Sequence, residues 1–445
     1  MKLYYNFTAD EIAEITGTEK RYGNVIIDNV SWNSKEVINN GCYFAIKGKN
    51  HNGNDFVNEA IKNGAKLIIS DENINPSVPC IKVDNVIDAL CRLAKRYAKN
   101  VKIIGVTGST GKTTVKEMIK SVLSQKYKVI ATKDNENNEI GVAKTLFSVT
   151  DEDFCVVEMG MRARGEIKYI SEICKPQTSV ITNCGSAHIE RLGTTENIFN
   201  AKTEILENTT LNCILPYEKR FLNLKNYGLN TVFVGNDGNI DAKNIEYKKN
   251  GATFSVFENK MYLGRIFLPS LSNYNVTNSL SAYAVGRLYG LEHSEIEKAL
   301  KNFKNIGYRE NILKVAEITF ILDCYNASYE GVKEAIKGFC NYCHINGYRP
   351  NLVLGCMREI GESSYEYHYR IGEYARDMEI KTLIAYGKES VGYIDGFSCG
   401  EIFYKKSDIA EYILSHYCKR DAFLVKGSRT EKLEEIIFEM KELLK

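Results

Sequence analysis

One glycine-rich segment of the chain has the residue types that bind a polyphosphate. An apolar run, residues 102–106, leads into Thr107-Gly108-Ser109-Thr110-Gly111-Lys112-Thr113-Thr114, and a helical pattern follows. Glycines let backbone N–H groups approach phosphate oxygens, a lysine neutralises their charge, and a threonine hydroxyl can reach Mg²⁺ at a helix N-terminus. The strict pattern has glycine where this chain has Val106, so a chance glycine turn is the competing interpretation. The strand and helix context favours a nucleotide-binding loop.

Magnesium needs more ligands than one hydroxyl, and two other residues are candidates. Glu158 ends the apolar run that begins at Phe154, and His188 follows the strand pattern that ends near Asn183. If both strands are parallel neighbours of the strand before the loop, their side chains meet at one edge of the sheet. On spacing alone, the favoured interpretation is a strand-terminal surface carboxylate and an ordinary loop histidine.

These residues need a sheet to position them, and the hydrophobic pattern predicts more than one. Apolar runs alternate with amphipathic helices from residue 100 onward, which indicates a mostly parallel sheet covered on both faces. The alternation restarts after Gly307, and a smaller mixed α/β region precedes residue 100. We therefore predict an α/β protein of three domains, residues 1–99, 100–306 and 307–445. The last is expected to be Rossmann-like, with polar residues at its strand ends.

Composition excludes several classes of protein. The chain of 445 residues is 44% hydrophobic and 26% charged, with a formal net charge of +2, so a broad nucleic-acid or membrane-surface footprint is not expected. It contains no apolar run long enough to cross a bilayer and no signal-peptide pattern at Met1. Thirteen cysteines scattered through apolar segments are typical of reduced core residues. We expect a cytoplasmic enzyme, and a monomer.

Five sequence blocks resemble those of the Mur ligase family, in the family's order. They are Gly105-Val-Thr-Gly-Ser-Thr-Gly-Lys-Thr-Thr114, Val157-Glu-Met-Gly160, Thr182-Asn-Cys-Gly-Ser-Ala-His188, Ala201-Lys-Thr-Glu-Ile205 and Asn275-Val-Thr-Asn278. The family's loop has the form TGxxGKT, so the resemblance also accounts for Val106. It implies an ATP-dependent amide-bond ligase that uses Mg²⁺ and activates a carboxylate as an acyl phosphate.

Within the family, further blocks resemble the MurF branch, which adds D-alanyl-D-alanine to UDP-N-acetylmuramoyl-tripeptide. These blocks are Gly41–Gly48, Asn52–Phe56, Asn137–Val142, Leu354–Glu362, His368 with Gly372–Tyr374, and Val425–Arg429. The resemblance implies that residues 1–99 bind the UDP-sugar substrate and residues 100–306 bind ATP. Residues 307–445 would bind the incoming amine and close on the nucleotide.

The resemblance also implies roles for individual residues. Lys112 would contact the phosphates, Thr113 and Glu158 one metal ion, and His188 a second metal ion together with Lys202 as a carbamate. Asn275 would hold the adenine, while Arg309 and Asp323 reach the nucleotide from the last domain. The residues expected at the substrates are Ser34, Lys35, Asn137, Asn138, Tyr325, Asn326, Lys426, Ser428 and Arg429.

Several positions depart from the family pattern, mostly in the two substrate-handling domains. Tyr274 replaces a histidine before Asn275, and Asn33-Ser-Lys35 stands where Asp-Ser-Arg is usual. In the last domain Leu322 and Cys356 replace aspartates, Ser328-Tyr329 replaces Asn-Pro, and Arg309 is displaced by one position. The sequence therefore leaves open a second hypothesis, a MurF-like paralogue that joins a different amine or acid.

Overall fold

Three β-sheets flanked by helices follow one another along the chain. A computed structural model describes residues 1–18, 20–185, 189–358 and 360–445. Most neighbouring strands run parallel, which confirms the predicted mixed α/β fold. Among the described residues, no helix is both long enough and apolar enough to cross a membrane. We call the parts of the chain built around the three sheets the first, central and third units.

The first unit contains a five-stranded sheet of order β1-β2-β3-β4-β5, in which only β1 and β2 pair in antiparallel fashion. Thr8 and Glu11 form a capping box at the start of the first helix, and Gly17 ends that helix with a φ of 92°. The elements are β1 (Lys2–Thr8), α1 (Ala9–Thr16), β2 (Ile26–Ser31), β3 (Gly41–Phe44), α2 (Val57–Lys62), β4 (Ala65–Ser70), β5 (Cys80–Lys82) and α3 (Val86–Tyr97).

Helix α3 joins the first unit to the central one. Its apolar face packs in one hydrophobic core that continues from the first sheet into the central unit. The Tyr97 ring lies 5.7 Å from that of Phe147, and the Tyr169 hydroxyl donates a hydrogen bond to Asp88. The core is therefore shared at this junction, a feature that the sequence pattern does not predict.

The central unit contains a nine-stranded sheet of order β14-β13-β12-β11-β10-β9-β6-β8-β7. Its elements are β6 (Lys102–Thr107), α4 (Lys112–Leu123), β7 (Val129–Ala131), α5 (Glu139–Phe147), β8 (Phe154–Glu158), α6 (Glu166–Cys174), β9 (Thr178–Ile181), α7 (Ile189–Leu192), α8 (Thr195–Thr203), β10 (Asn212–Pro216), α9 (Lys219–Leu222), β11 (Asn230–Val234), β12 (Ile240–Lys248), β13 (Gly251–Glu258), β14 (Met261–Leu268), α10 (Asn273–Leu288) and α11 (His293–Lys301).

Alternate residues of the middle strands pack on opposite faces of this sheet. Cys155 and Val157 belong to one hydrophobic core, whereas Phe154 and Val156 belong to another. This is the burial expected of a parallel strand covered by helices on both sides. Strand β6 lies between β9 and β8, so the segments that follow these three strands meet at one edge.

The third unit contains a six-stranded sheet of order β15-β16-β20-β17-β18-β19, parallel except for β15. Strands β16 and β20 pair so that Asp323 lies opposite Lys426 at their carboxyl ends. The elements are β15 (Asn311–Val315), β16 (Ile318–Asp323), α12 (Tyr329–Asn346), β17 (Arg349–Leu354), α13 (Ser364–Asp377), β18 (Thr382–Tyr386), α14 (Val391–Phe397), β19 (Glu401–Phe403), α15 (Lys406–His416), β20 (Asp421–Lys426) and α16 (Glu435–Leu443).

Candidate active site

The glycine loop connects β6 to α4, as the sequence predicts. Gly111 has a φ of 80°, and a Cβ atom on Gly108 would lie 1.9 Å from the Thr182 hydroxyl, so both positions favour glycine. The Lys112 ammonium donates to the carbonyl oxygens of Gly108, at 2.8 Å, and Ser109, at 3.4 Å. The loop thus places its lysine at the N-terminus of α4, where backbone N–H groups can face an anion.

Asn183 holds the middle of this loop through the backbone of Thr110. The Thr110 N–H donates to Asn183 Oδ1 at 3.1 Å, and Asn183 Nδ2 donates to the Thr110 carbonyl at 3.0 Å. The side-chain amide therefore both accepts from and donates to the Thr110 backbone, as the backbone of a neighbouring strand would. Sequence reasoning quoted Asn183 within a family block but gave it no role. The sequence feature that could have indicated a role is that Asn183 follows β9, a strand that neighbours β6.

Tyr274 links the phosphate loop to helix α10. Its hydroxyl hydrogen-bonds Thr110 Oγ1 and Asn183 Nδ2, and a Cβ atom on Gly111 would lie 2.9 Å from it. Burial raises the pKa of the Tyr274 hydroxyl, so it stays protonated at neutral pH. The sequence marked this residue as a departure from the family, and the structure places it on the loop.

Glu158 has the environment of a metal ligand. It is only 2% exposed, and Asn137 Nδ2 donates to its Oε1 at 2.9 Å, while its Oε2 is buried with no hydrogen-bond partner among the described residues. An unpaired buried carboxylate oxygen is costly unless a cation faces it. Among the described residues no group of three or more His, Cys, Asp or Glu side chains forms a complete protein cage. Magnesium commonly completes its shell with phosphate oxygens and water, so Thr113 and Glu158 fit that ion.

Lys202 lies on α8 and is 1% exposed. Burial, with a smaller effect from Lys112, lowers the pKa of its ammonium from 10.5 to about 7. A large share of the side chain is therefore neutral amine at physiological pH, which is the form that reacts with CO₂. The predicted partner of Lys202, His188, lies outside the described residues.

Asn275 sits in the first turn of α10, where all of its side-chain donors are used. Its Nδ2 donates to Ser270 Oγ at 2.9 Å and to Glu310 Oε1 at 3.2 Å, and its Oδ1 accepts from Asn278 at 3.0 Å. Burial raises the pKa of the Glu310 carboxyl, with a further effect from Asp323. Sequence reasoning missed Glu310, which comes from the third unit.

The third unit supplies the opposite side of the site. The Arg309 guanidinium lies 3.6 Å from the centre of the Tyr325 ring, a cation–π contact. Lys426 forms an ion pair with Asp323 and donates to the Asn326 carbonyl at 3.0 Å. These residues gather because β16 and β20 are neighbours whose carboxyl ends face the glycine loop.

A cavity of about 770 Å³ separates the central and third units. The predicted residues that line it are Ser109, Thr110, Gly111, Lys112, Thr113, Thr114, Asn137, Asn138, Glu158, Asn275, Arg309, Asp323, Tyr325, Asn326, Lys426, Ser428 and Arg429. Thr107 is buried below the loop, where its hydroxyl donates to the Met159 carbonyl at 3.0 Å. Residues distant in sequence thus form one site.

Two predicted substrate residues lie elsewhere. Ser34 and Lys35 belong to a short 3₁₀ helix in the first unit and do not line the cavity. The Ser34 hydroxyl donates to Glu59, and the Lys35 N–H donates to Asn33 Oδ1 at 3.1 Å. The structure therefore separates these two residues from the nucleotide loop, and their expected role stays a prediction.

Comparison with known proteins places these features in a family. Residues 106–286 match the Mur ligase middle domain, and residues 294–429 match the Mur ligase glutamate ligase domain. The UDP-N-acetylmuramoyl-tripeptide–D-alanyl-D-alanine ligase of Bacillus subtilis (strain 168) is 31% identical over 98% of each chain. The chain belongs to the Mur ligase family. The corresponding ligase of Haemophilus influenzae is 30% identical to this Mur ligase over 97% of each chain.

Solved structures agree with this assignment. MurF from Acinetobacter baumannii superposes on this Mur ligase with a TM-score of 0.91, at 25% identity, covering 99% of this chain and 100% of that one. MurF from Thermotoga maritima in complex with ADP gives a TM-score of 0.86 at 27% identity, covering 94% and 97% of the two chains. The likeness extends over all three sheets.

Proposed function

We propose that this protein is an ATP-dependent ligase that adds D-alanyl-D-alanine to UDP-N-acetylmuramoyl-tripeptide. The observation that carries the proposal is the cavity between the units. The central unit lines the cavity with the phosphate loop and with Glu158, a buried carboxylate that needs a cation. The third unit lines it with Asp323 and Lys426, which are charged residues at strand ends. Relatives named for this reaction match the chain over nearly its whole length.

The first chemical step activates the peptide carboxylate, because a free carboxylate is a poor acyl donor. A carboxylate oxygen bonds to the γ-phosphorus of ATP as the bond from that phosphorus to the ADP oxygen breaks. Lys112 and the N–H groups at the start of α4 would stabilise the charge on the phosphoryl oxygens. This requires Lys112 to exchange the carbonyl oxygens of Gly108 and Ser109 for phosphate oxygens.

Thr113 and Glu158 would hold the magnesium ion that accompanies ATP. When bound, the ion supplies positive charge beside the phosphates. Asn137 keeps Glu158 in place through its hydrogen bond to Oε1, which leaves Oε2 directed to the cation. Asn137 is thus proposed to act by positioning the metal ligand.

Lys202 is proposed to carry a carbamate that helps to hold a second metal ion, together with His188. The neutral amine nitrogen would attack CO₂ and lose a proton, which converts a cationic side chain into an oxygen ligand. The lowered pKa of Lys202 supports this reaction at neutral pH. Its depth in the core also protects a modification that is otherwise labile.

The amine is proposed to approach from the third unit. Its neutral nitrogen would bond to the acyl carbon, the bond from that carbon to the phosphate oxygen would break, and the nitrogen would lose a proton. The third unit would bring Arg309 and Asp323 toward the nucleotide and would hold the dipeptide near Lys426 and Ser428. Positioning and charge neutralisation would supply most of the catalysis.

A second candidate is a paralogue that joins a different amine. Two substitutions favour it. Cys356 stands where the family has an aspartate, and its thiol lies 3.2 Å from Glu389 Oε2. Ser328 stands where the family has an asparagine, and it lines the cavity. Both changes lie in the unit proposed to bind the amine. On the ATP side, Lys112, Thr113 and Glu158 match the family's residues, whereas Tyr274 departs from them.

The test is phosphate release with UDP-N-acetylmuramoyl-tripeptide and ATP, with and without D-alanyl-D-alanine, followed by a panel of other amines. We expect release that depends on both substrates, and none from Lys112→Ala. Release only with another amine would support the paralogue. No release with any acid and amine would refute the ligase proposal.

The cellular setting is also a proposal. All thirteen cysteines are free thiols, and most are buried, which favours a reducing compartment such as the cytoplasm. The cavity is completed by units of one chain, so we propose that a monomer is sufficient for activity.

A further inference from the structure

Glu310 reaches from the third unit into the central unit beside Asn275. Its Oε2 accepts hydrogen bonds from Ser270 Oγ at 2.6 Å and from the Leu271 N–H at 3.1 Å, and its Oε1 accepts from Asn275 Nδ2 at 3.2 Å. Its φ of 51° is in the left-handed region, which glutamate rarely adopts. These contacts fix the carboxylate at the cavity in spite of that backbone cost.

Asn275 and the ionised Glu310 have free hydrogen-bond acceptors but no free donors. Both protons of the Asn275 amide are used, one by Ser270 and one by Glu310. The atoms left with free lone pairs are Asn275 Oδ1, which accepts one bond from Asn278, and Glu310 Oε1. With Glu310 ionised, the side chains of Asn275 and Glu310 can therefore accept further hydrogen bonds and cannot donate them.

We propose that Glu310 is a specificity-determining residue that selects a nucleobase with an exocyclic amino group. The inference rests on the proposed function and on the expectation, implied by the family resemblance, that Asn275 holds the base of ATP. An amino group on the base can donate to Glu310 Oε1. A keto oxygen at the same position would face a carboxylate oxygen with no proton between them, and its hydration would be lost without replacement.

Adenine and hypoxanthine make this comparison directly, because they differ at C6 by an amino group and a keto oxygen. A hydrogen bond to a charged group changes binding by about tenfold or more. We therefore expect kcat/KM for ATP to exceed that for ITP by about that factor or more. The same preference should hold for binding of ADP over IDP, which needs no ligation.

Glu310→Gln tests the carboxylate itself. Ser270 and Leu271 both donate to the Oε2 position, so the amide oxygen of the replacement must occupy it and the amide nitrogen must occupy the Oε1 position. The amide nitrogen then presents a donor to the base, and the Asn275 Nδ2 proton that it faces loses its acceptor. We expect the ATP to ITP ratio to fall about tenfold, through weaker use of ATP and better use of ITP. A purely structural role would lower both rates and keep the ratio.

Glu317→Gln is the matched control. Glu317 also has a positive φ, 66°, and belongs to the same unit, but its side chain is 69% exposed and contacts only Lys419 at 3.6 Å among the described residues. Its nucleotide ratio should equal that of the wild type. A Glu310→Gln variant that is folded and keeps the wild-type ratio within about twofold overturns the proposal.

If Glu310→Gln does not fold, the wild-type protein decides the question. Binding of N6,N6-dimethyl-ADP should be about tenfold weaker than binding of ADP, because that base has no proton to donate. Equal binding would overturn the proposal. Since these assays measure binding alone, a protein that discriminates ADP from IDP but releases no phosphate would refute the ligase function and leave this inference standing.

Discussion

Replacement of Asn183 by alanine should weaken ATP binding although Asn183 lies behind the phosphate loop. The substitution removes the two hydrogen bonds between the side-chain amide and the Thr110 backbone, of 3.1 and 3.0 Å, and also the contact with the Tyr274 hydroxyl. The Thr110 N–H then loses its partner, and the Thr110 carbonyl keeps only the hydrogen bond from the Thr182 hydroxyl, at 2.6 Å. The loop would have to become ordered when the nucleotide binds.

The expected size of this effect follows from the two backbone contacts. A neutral hydrogen bond contributes about 1 kcal/mol net, so the two contribute about 2 kcal/mol to the ordered loop. If binding must restore that order, the KM for ATP should rise about 30-fold. The KM for the acid substrate should change much less, because the first unit has no contact with Thr110 in the described structure.

Steady-state kinetics with varied ATP, together with calorimetric ADP binding, would measure the change. Asn29→Ala is a matched control, because Asn29 is also buried and its Nδ2 donates to Asp28 and to the carbonyls of Ile38 and Asn39. That variant should lose thermal stability and keep its affinity for ATP. A folded Asn183→Ala protein with a KM for ATP within about twofold of the wild type would refute the reasoning.

Three further predictions follow from single side chains. Glu158→Gln places an amide at the unpaired Oε2 position, so the Mg²⁺ concentration for half-maximal activity should rise about tenfold or more; an unchanged titration would contradict the metal role. Activity should fall in CO₂-free buffer and return with bicarbonate if Lys202 is carbamylated; full activity without CO₂ would exclude that role. Burial lowers the pKa of His368 from 6.5 to about 4, so its contribution to stability is complete above pH 6.5 and is lost as the pH falls toward 4. Between pH 7 and pH 5 the wild type should lose about 2 kcal/mol more than His368→Gln, measured by urea unfolding, and equal losses would contradict this assignment.

The His368 example shows what a family block alone leaves undetermined. Its Nε2 accepts from the Met357 N–H at 2.9 Å, and its Nδ1 bonds the Ser364 carbonyl at 2.7 Å, so the backbone fixes one neutral tautomer. The sequence marked His368 as part of the MurF-like pattern. Only its burial between these groups assigns it a structural part in the third unit.

The sequence by itself determined the features that depend on neighbouring residues. The run into Gly108 predicted the phosphate loop, the helical pattern after the loop predicted α4, and Phe154–Glu158 is a strand with the bounds expected. Local patterns can do this because a helix face, a cap or a glycine turn is decided by residues a few positions apart.

Tertiary structure decided what depends on residues far apart in the chain. The shared core at α3, the pairing of Asn183 with Thr110 and the approach of Glu310 to Asn275 have no local signal in the sequence. Each depends on which strands become neighbours and how two units meet. The phosphate loop could be read from adjacent residues, whereas the groups that hold it and those that face the base are defined only by folding.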